Sequence, residues 1–304
     1  MKKLFIYLTI LLGTIVTGCN ELPDEQFEKY AVFIRNGFHE WHLPYNNEGA
    51  TTTNMSISIS GTSILTEDME VEIAVNEELL KAYNFEKFRN DSSSYYTLLP
   101  TDCYELETTK IIVKAGDEYA LIPIKLNLDK MDKYLNYVLP VEIVSVSKYN
   151  VGINGYNESL INFVFDNEYS GLYTMAVDLN SSEGNLFING QQSLKTVGKN
   201  TCFFPVSYLD KESEKKNYNI NVTVNSDSTL TLSANNPDIE FDFATPNKGK
   251  NNETNIIEIT ETGKNAKTMK FYLNYSYLDK SNPEVSPIRR NIRGSLVREI
   301  KLVN

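Results

Sequence analysis

From Tyr169 to the C-terminus the chain repeats one kind of segment: a short run rich in Val, Ile, Leu, Phe, Tyr and Thr, closed off by Asn, Asp, Ser, Gly or Lys. The runs are 171–177, 201–209, 218–224, 229–233, 239–243, 255–259, 267–278 and 292–302. Their period is that of strands, in which successive side chains face opposite sides. Ile220, Val222 and Val224 fall on one face and Asn219, Asn221 and Thr223 on the other, as in an antiparallel strand with one wet side. Many such strands with no helix between them specify a sandwich or barrel. Residues 167–304 are therefore expected to form an antiparallel all-β sandwich or barrel.

The first half, residues 29–166, belongs to the same class. Strand patterns occur at 29–36, 54–60 and 70–75, and Met55, Ile57 and Ile59 alternate with polar neighbours. Glu77–Phe88 predicts a helix, since Leu79, Leu80, Tyr83 and Phe88 fall near helical spacing and acidic residues occupy the first turn. Ala115-Gly116-Asp117 predicts a tight turn in which Gly116 takes positive φ. After it, Ala120, Ile122, Ile124 and Leu126 share one face of a strand. Pro123 and Pro140 inside strand runs predict edge positions. Residues 37–52 read as a loop, 160–165 as the last strand of this half, and Asp166-Asn167-Glu168 as the boundary.

The N-terminus sets the address. Lys2 and Lys3 precede an apolar run from Leu4 to Val16 that stops at Gly18-Cys19. That is the layout of a secretory signal, and it is shorter than the roughly 20 apolar residues a transmembrane helix needs. Val16-Thr17-Gly18-Cys19 resembles a bacterial lipobox, which implies removal of residues 1–18 and a lipid on Cys19. Residues 19–28 are acidic, contain Pro23 and lack periodicity, as a tether does. This acidic segment is similar to the surface-export signal of Bacteroidetes lipoproteins, which implies a place on the outer face of the outer membrane. A plain solvated linker is the alternative.

A wider resemblance rests on Tyr96-Thr97-Leu98-Leu99-Pro100, Tyr104-Glu105-Leu106, Ala115-Gly116-Asp117 and Tyr137-Val138-Leu139-Pro140-Val141-Glu142-Ile143. In this order the motifs resemble the N-terminal, immunoglobulin-like β-sandwich domain of unknown function found on many Bacteroidetes surface lipoproteins. Tyr169-Ser170-Gly171-Leu172-Tyr173, the turn Ser226-Asp227-Ser228 and Phe271-Tyr272-Leu273-Asn274-Tyr275-Ser276-Tyr277 are similar to the C-terminal β domain that follows it in a subset of them. Such proteins often accompany starch-utilisation-like (Sus-like) glycan import systems. The resemblance thus implies a polysaccharide or oligosaccharide ligand and Sus-like transporter components as partners.

Charge narrows the ligand independently. The formal net charge is −11, and losing Lys2 and Lys3 with the signal makes it −13. Nucleic-acid binding rests on clustered Lys and Arg, so an acidic chain disfavours it, while neutral sugars stay open. Cys103 and Cys202 read as two isolated buried thiols, with a disulfide as the alternative in an exported protein. No CxxC or Cys/His cluster occurs, so neither a zinc site nor any other metal or cofactor is expected.

The candidate binding residues are aromatic. Trp41, the chain's one tryptophan, lies among Phe38, His39, His42 and Tyr45, with Asn46, Asn47 and Glu48 following. Flat rings cover the C–H faces of sugars while polar neighbours take hydroxyls, so Trp41, Tyr45 and His39 are expected to contact ligand. Alternatively Trp41 plugs one end of a sandwich. Tyr275 and Tyr277 share one face of a strand and form either a second platform or part of the core. Asp178–Asn185 has oxygen-bearing residues at alternate positions like a calcium loop, but its Gly is one place late and a surface turn is favoured. G-x-S-x-G, P-loop and H-E-x-x-H motifs are absent, and Asp129-Lys130-Met131-Asp132 does not continue into the acidic strand end of a family 18-type glycosidase. The expectation is a non-catalytic glycan-binding lipoprotein. A structural or adhesion protein is the competing class, to be favoured by a flat apolar patch or an unpaired strand edge.

Overall fold

The computed structural model describes residues 27–46, 49–261 and 265–301. Cys19, the signal segment, most of the acidic tether, Asn47 and Glu48 lie outside the described residues. Among those described, no helix is long and apolar enough to cross a membrane.

The first half is a sandwich of two sheets. One joins β1 (Tyr30–Phe33), β3 (Ala50–Ile59), β6 (Tyr104–Leu106), β8 (Tyr119–Asn127) and β10 (Asn150–Val151) in the order β10-β1-β3-β8-β6. The other joins β2 (Gly37–Pro44), β4 (Met69–Val75), β7 (Lys110–Val113), β9 (Tyr137–Val146) and β11 (Glu158–Asp166) in the order β2-β11-β9-β4-β7, and β5 (Thr97–Leu98) adds to β9. Between them Phe33, Ile57, Ile122, Ile124 and Leu126 meet Val71, Val113, Leu139, Val141 and Ile161, all buried. The face predicted for 120–126 is thus the core face. Gly116, at φ 86°, makes the turn that carries the chain from one sheet to the other.

Helix α1 (Glu77–Phe88) forms where expected. Asn76 caps it, its side-chain oxygen accepting the Glu78 N–H at 3.0 Å. Leu80 packs with Val138 and Leu160 on the outer side of the second sheet. Buried Asn84 fastens the helix to the next segment through paired bonds with the Tyr96 backbone, each 2.9 Å.

Two expectations need correction. Residues 37–52 are not a loop: 37–44 form β2, parallel to β11, and β3 begins at Ala50. Nor do Pro123 and Pro140 lie on edge strands. β8 runs between β3 and β6, and β9 between β11 and β4. Each proline falls where a neighbouring strand has just ended, β6 stopping opposite Ile124 and β4 opposite Val141, so fewer ladder bonds are forfeited.

The second half is one nine-stranded antiparallel sheet. Its strands are β12 (Gly171–Ser181), β13 (Gly184–Gly198), β14 (Thr201–Pro205), β15 (Asn219–Val224), β16 (Leu230–Ala234), β17 (Phe241–Phe243), β18 (Ile256–Glu261), β19 (Ala266–Asp279) and β20 (Ile288–Lys301). They run β16-β15-β14-β13-β12-β20-β19-β17, with β18 also on β19. The sheet rolls until its ends nearly meet, since Ile257 N–H donates to Ser228 O and Leu230 N–H to Asn255 O. Tyr173, Phe204, Tyr218, Phe271, Tyr275 and Tyr277 fill the interior. Gly294 is required where β20 crosses β12, because a Cβ there would sit 2.2 Å from Ala176 O. The calcium-like segment is the β12–β13 hairpin, turning between Ser181 and Gly184.

Cys103 and Cys202 are free, buried thiols, one in each core. Burial pushes the Cys202 thiol up to about 12, so it stays protonated and inert.

Candidate functional site

Strand periodicity takes the predicted aromatic cluster apart. On β2, His39, Trp41 and Leu43 point one way and Phe38, Glu40 and His42 the other. Trp41 is half-buried against the first core, with the Arg35 guanidinium 5.2 Å over its ring. His39 Nδ1 faces Gly37 O at 3.3 Å, and its Nε2 is buried without a protein partner. Burial holds the His39 pKa below its ordinary value; the Gly37 carbonyl opposes that and Arg35 reinforces it. His39 and His42 lie on opposite faces and do not form a pair of ligands. Among the described residues no group of three or more His, Cys, Asp or Glu is placed to hold a metal ion.

Phe38 joins a different cluster. Its ring stacks on Tyr83 at 4.6 Å and leans on Tyr96, and Lys87 Nζ lies 4.9 to 5.4 Å from the Phe38, Tyr83, Phe88 and Tyr96 rings. Lys87 donates to both tyrosine hydroxyls at 3.2 Å. These ring faces are taken up by one another and by the ammonium, which leaves little for a sugar.

Tyr275 and Tyr277 are not a platform. They are 3% and 0% exposed, and burial raises both phenols far above their ordinary pKa. The Tyr277 hydroxyl donates to the Tyr208 carbonyl inside the barrel. Odd-numbered residues of β19 face inward, which puts both rings in the core and Tyr272 outside.

What the fold does build is a cleft of about 260 Å³ at the junction of the two halves. The connection from β11 to β12 is only 167–170, and Asn167 ties it down: its amide donates to Gly198 O at 2.8 Å and Thr201 O at 3.2 Å. The segment before β9 reaches across. The Tyr134 ring meets Phe203 at 4.8 Å and its hydroxyl donates to Asn221 Oδ1 at 2.9 Å. Asn136 Oδ1 accepts from Lys195 Nζ at 2.8 Å.

Into this cleft β2 turns Glu40 and His42, β11 contributes Val164 and Asp166 from the same face, and β13 contributes Ser193 and Lys195. His42 Nδ1 lies 2.7 Å from Asp166 Oδ2 and its Nε2 lies 3.6 Å from Glu40 Oε2. Lys195 has its pKa lowered by desolvation, with the Glu40 charge opposing. Leu135 and Leu172 form an apolar rim, 47% and 55% exposed. Tyr45, just past the end of β2, stands beside the cleft: Lys133 Nζ donates to its hydroxyl at 3.1 Å and lies 5.3 Å from its ring. None of the residues expected to bind lines the cavity: Tyr45 reaches it only through Lys133, and Trp41 and His39 face away from it on β2. Lys195 and Asn136 carried no sequence signal, because neither sits in a motif and the fold alone brings them together.

Two family models match the chain, one described as an N-terminal domain over residues 27–150 and one as a C-terminal domain over residues 157–297. Comparison with the curated proteins finds no match. Among solved structures, a multidomain protein including DUF1735 from Bacteroides ovatus is 23% identical, with a TM-score of 0.74 over 89% of this chain and 94% of that one. Another protein of unknown function from the same organism is 18% identical, with a TM-score of 0.71 over 90% and 92% of the two chains. An auxiliary nutrient binding protein from Bacteroides thetaiotaomicron is 17% identical, with a TM-score of 0.67 over 86% and 91%. At these identities what is shared is the fold. Over most of its length, then, the chain matches an N-terminal domain family, at residues 27–150, followed by a C-terminal one, at residues 157–297.

Proposed function

We propose that this chain is a non-catalytic lipoprotein, anchored through Cys19 on the outer face of the outer membrane, that holds a neutral glycan in the junction cleft for a Sus-like uptake system. The observation that carries this reading is the cleft: both domains contribute to it, and it sets oriented donors and acceptors beside an apolar floor. A sugar presents C–H faces and hydroxyls in fixed directions, and that combination matches both kinds of surface. Lys195, Lys133 and Asn136 supply donors, Glu40 and Asp166 acceptors, and Val164, Leu135 and Leu172 the apolar surface. The acidic balance of the chain supports an uncharged ligand over an anionic one. The lipobox-like Val16-Thr17-Gly18-Cys19 supports the anchor. A neighbour of the same fold that is described as an auxiliary nutrient binding protein supports a role in uptake.

The test is native affinity electrophoresis through gels cast with a panel of neutral polysaccharides. The wild-type chain is expected to be retarded by at least one of them. Joint replacement of Asn136 and Lys195 by Ala removes two polar contacts and is expected to weaken retention by about tenfold or more. Free migration through every polysaccharide would overturn the proposal.

A further inference from the structure

The sandwich has an open flank where the chain changes sheets. β1 ends at Phe33, opposite Ile57, and residues 34–36 carry the chain across to β2 in the other sheet. Ile34 N–H donates to Ser56 O at 3.1 Å, whereas Ile59 N–H donates to Glu118 O on the opposite side of β3. Backbone groups alternate sides along a strand, so Asn54 turns its N–H and C=O the same way as Ser56, toward the flank that β1 has left. On its other side Asn54 lies opposite Pro123 of β8.

This flank holds a pocket of about 210 Å³ walled by Arg35, Trp41, Asn54 and Ser56, with Ile34 and Met55 as its aliphatic part. Arg35 lays its guanidinium 5.2 Å over the Trp41 ring and has no carboxylate partner among the described residues. Fully buried Ser159 donates from its hydroxyl to Arg35 O at 3.0 Å, which fixes the residue that carries the charge. None of the walls is acidic, in a chain with 40 Asp and Glu against 29 Lys and Arg. The junction cleft, by contrast, carries Glu40, Asp132 and Asp166.

We propose that this pocket binds a small polyhydroxy carboxylate, of the size of one hexuronic acid. The carboxylate meets Arg35, whose fork of N–H groups matches its two oxygens. Hydroxyls meet the Asn54 backbone, the Asn54 amide and the Ser56 hydroxyl, which together donate and accept. Ile34, 55% exposed, and Trp41 face the C–H groups. The volume falls below the ~300–1,000 Å³ of pockets for larger ligands, so the occupant is a single ring. A cation without acidic neighbours selects an anion here, while the carboxylates of the cleft repel one.

Trp41 is the chain's one tryptophan, so its fluorescence reads this pocket directly. Glucuronate titrated into the full chain at constant ionic strength is expected to change the emission saturably at millimolar concentration, and titration calorimetry on the same samples to give the same midpoint. Methyl glucoside, which lacks the charge, and acetate, which lacks the ring, are each expected to bind about tenfold more weakly or worse. Arg35→Gln is expected to weaken glucuronate about tenfold or more with little change in melting temperature. The proposal is overturned if neither signal saturates beyond what sodium chloride produces, if acetate or methyl glucoside binds as tightly as glucuronate, or if the response survives Arg35→Gln. Retention by neutral polysaccharide belongs to the cleft and should be the same in Arg35→Gln as in the wild type, so the two sites fail separately.

Discussion

In the first domain the outermost strands are short or carry charge, whereas the second domain rolls its sheet up and so has few edges to guard. β10 has two residues, β6 three, and β7 four with Lys110 at its start, while β2 includes Glu40, His42 and Pro44. Each of these features discourages the addition of a further strand. Rolling works only where neighbouring strands match in length. β13 has 15 residues and β14 has five, so the hairpin of β12 and β13 outruns the strand that should cover it. A sandwich manages each edge by local sequence; a rolled sheet depends on its strands keeping pace.

The second domain also needs a polar latch. Arg290, 2% exposed, donates to Asp279 Oδ2 at 2.8 Å and to Asp210, and reaches Glu183 at the hairpin turn at 3.3 Å. It thereby ties β19, β20, the segment after β14 and the β12–β13 turn to one guanidinium. Burial alone would raise the Asp279 carboxyl, yet hydrogen bonds from Ser281 and Arg290 prevail and hold it below its ordinary range. The first core is mainly aliphatic.

The largest expected effect breaks this latch. Arg290→Met leaves the Asp279 carboxylate buried without its partner, and about 3–5 kcal/mol of stability should be lost. The loss should be confined to the second domain. Trp41, the chain's one tryptophan, lies in the first domain, so its fluorescence should keep its denaturation midpoint while circular dichroism shows an earlier second transition. Trp41→Ala should do the reverse, costing the first domain about 3 kcal/mol through lost packing. Below its melting temperature that variant should still be retarded by the polysaccharide gel, because Trp41 faces the core rather than the cleft. Loss of retention would return the binding role to Trp41.

The smallest effect is titration of His39. Its folded pKa is depressed, so below the ordinary value near 6.5 the unfolded chain takes up a proton that the folded chain resists. The stability contributed by the neutral ring is complete above that value and falls as pH drops toward the folded pKa. His39→Gln should flatten the slope in the first domain's midpoint between pH 7 and 5, with no change in the second. An unaltered slope would show that the ring is as well hydrated as in the unfolded chain.

Periodicity found the strands that bury one face. β12, β15, β16 and most of β19 were legible because their inward residues are apolar at every second position. β13 was not, since its first eight residues are exposed or half-exposed on both faces and so alternate in nothing. β2 failed for a related reason: both of its faces carry aromatic or ionisable residues, because one covers the first core and the other looks onto α1 and the cleft. The aromatic cluster of 38–45 was a genuine signal of burial, but adjacency along the chain is not adjacency in space once a strand sends neighbours to opposite faces.

The sequence by itself determined the all-β class, helix α1, the inward faces of most strands and the isolation of the two thiols. All of these follow from local pattern and composition. Only the tertiary structure decided the cleft and the open edge. The cleft joins side chains more than 100 residues apart in sequence, such as Glu40 and Lys195, and the edge exists because two strands paired over unequal lengths. Neither leaves a trace in any single stretch of chain, since each is a relation between segments that meet only after folding.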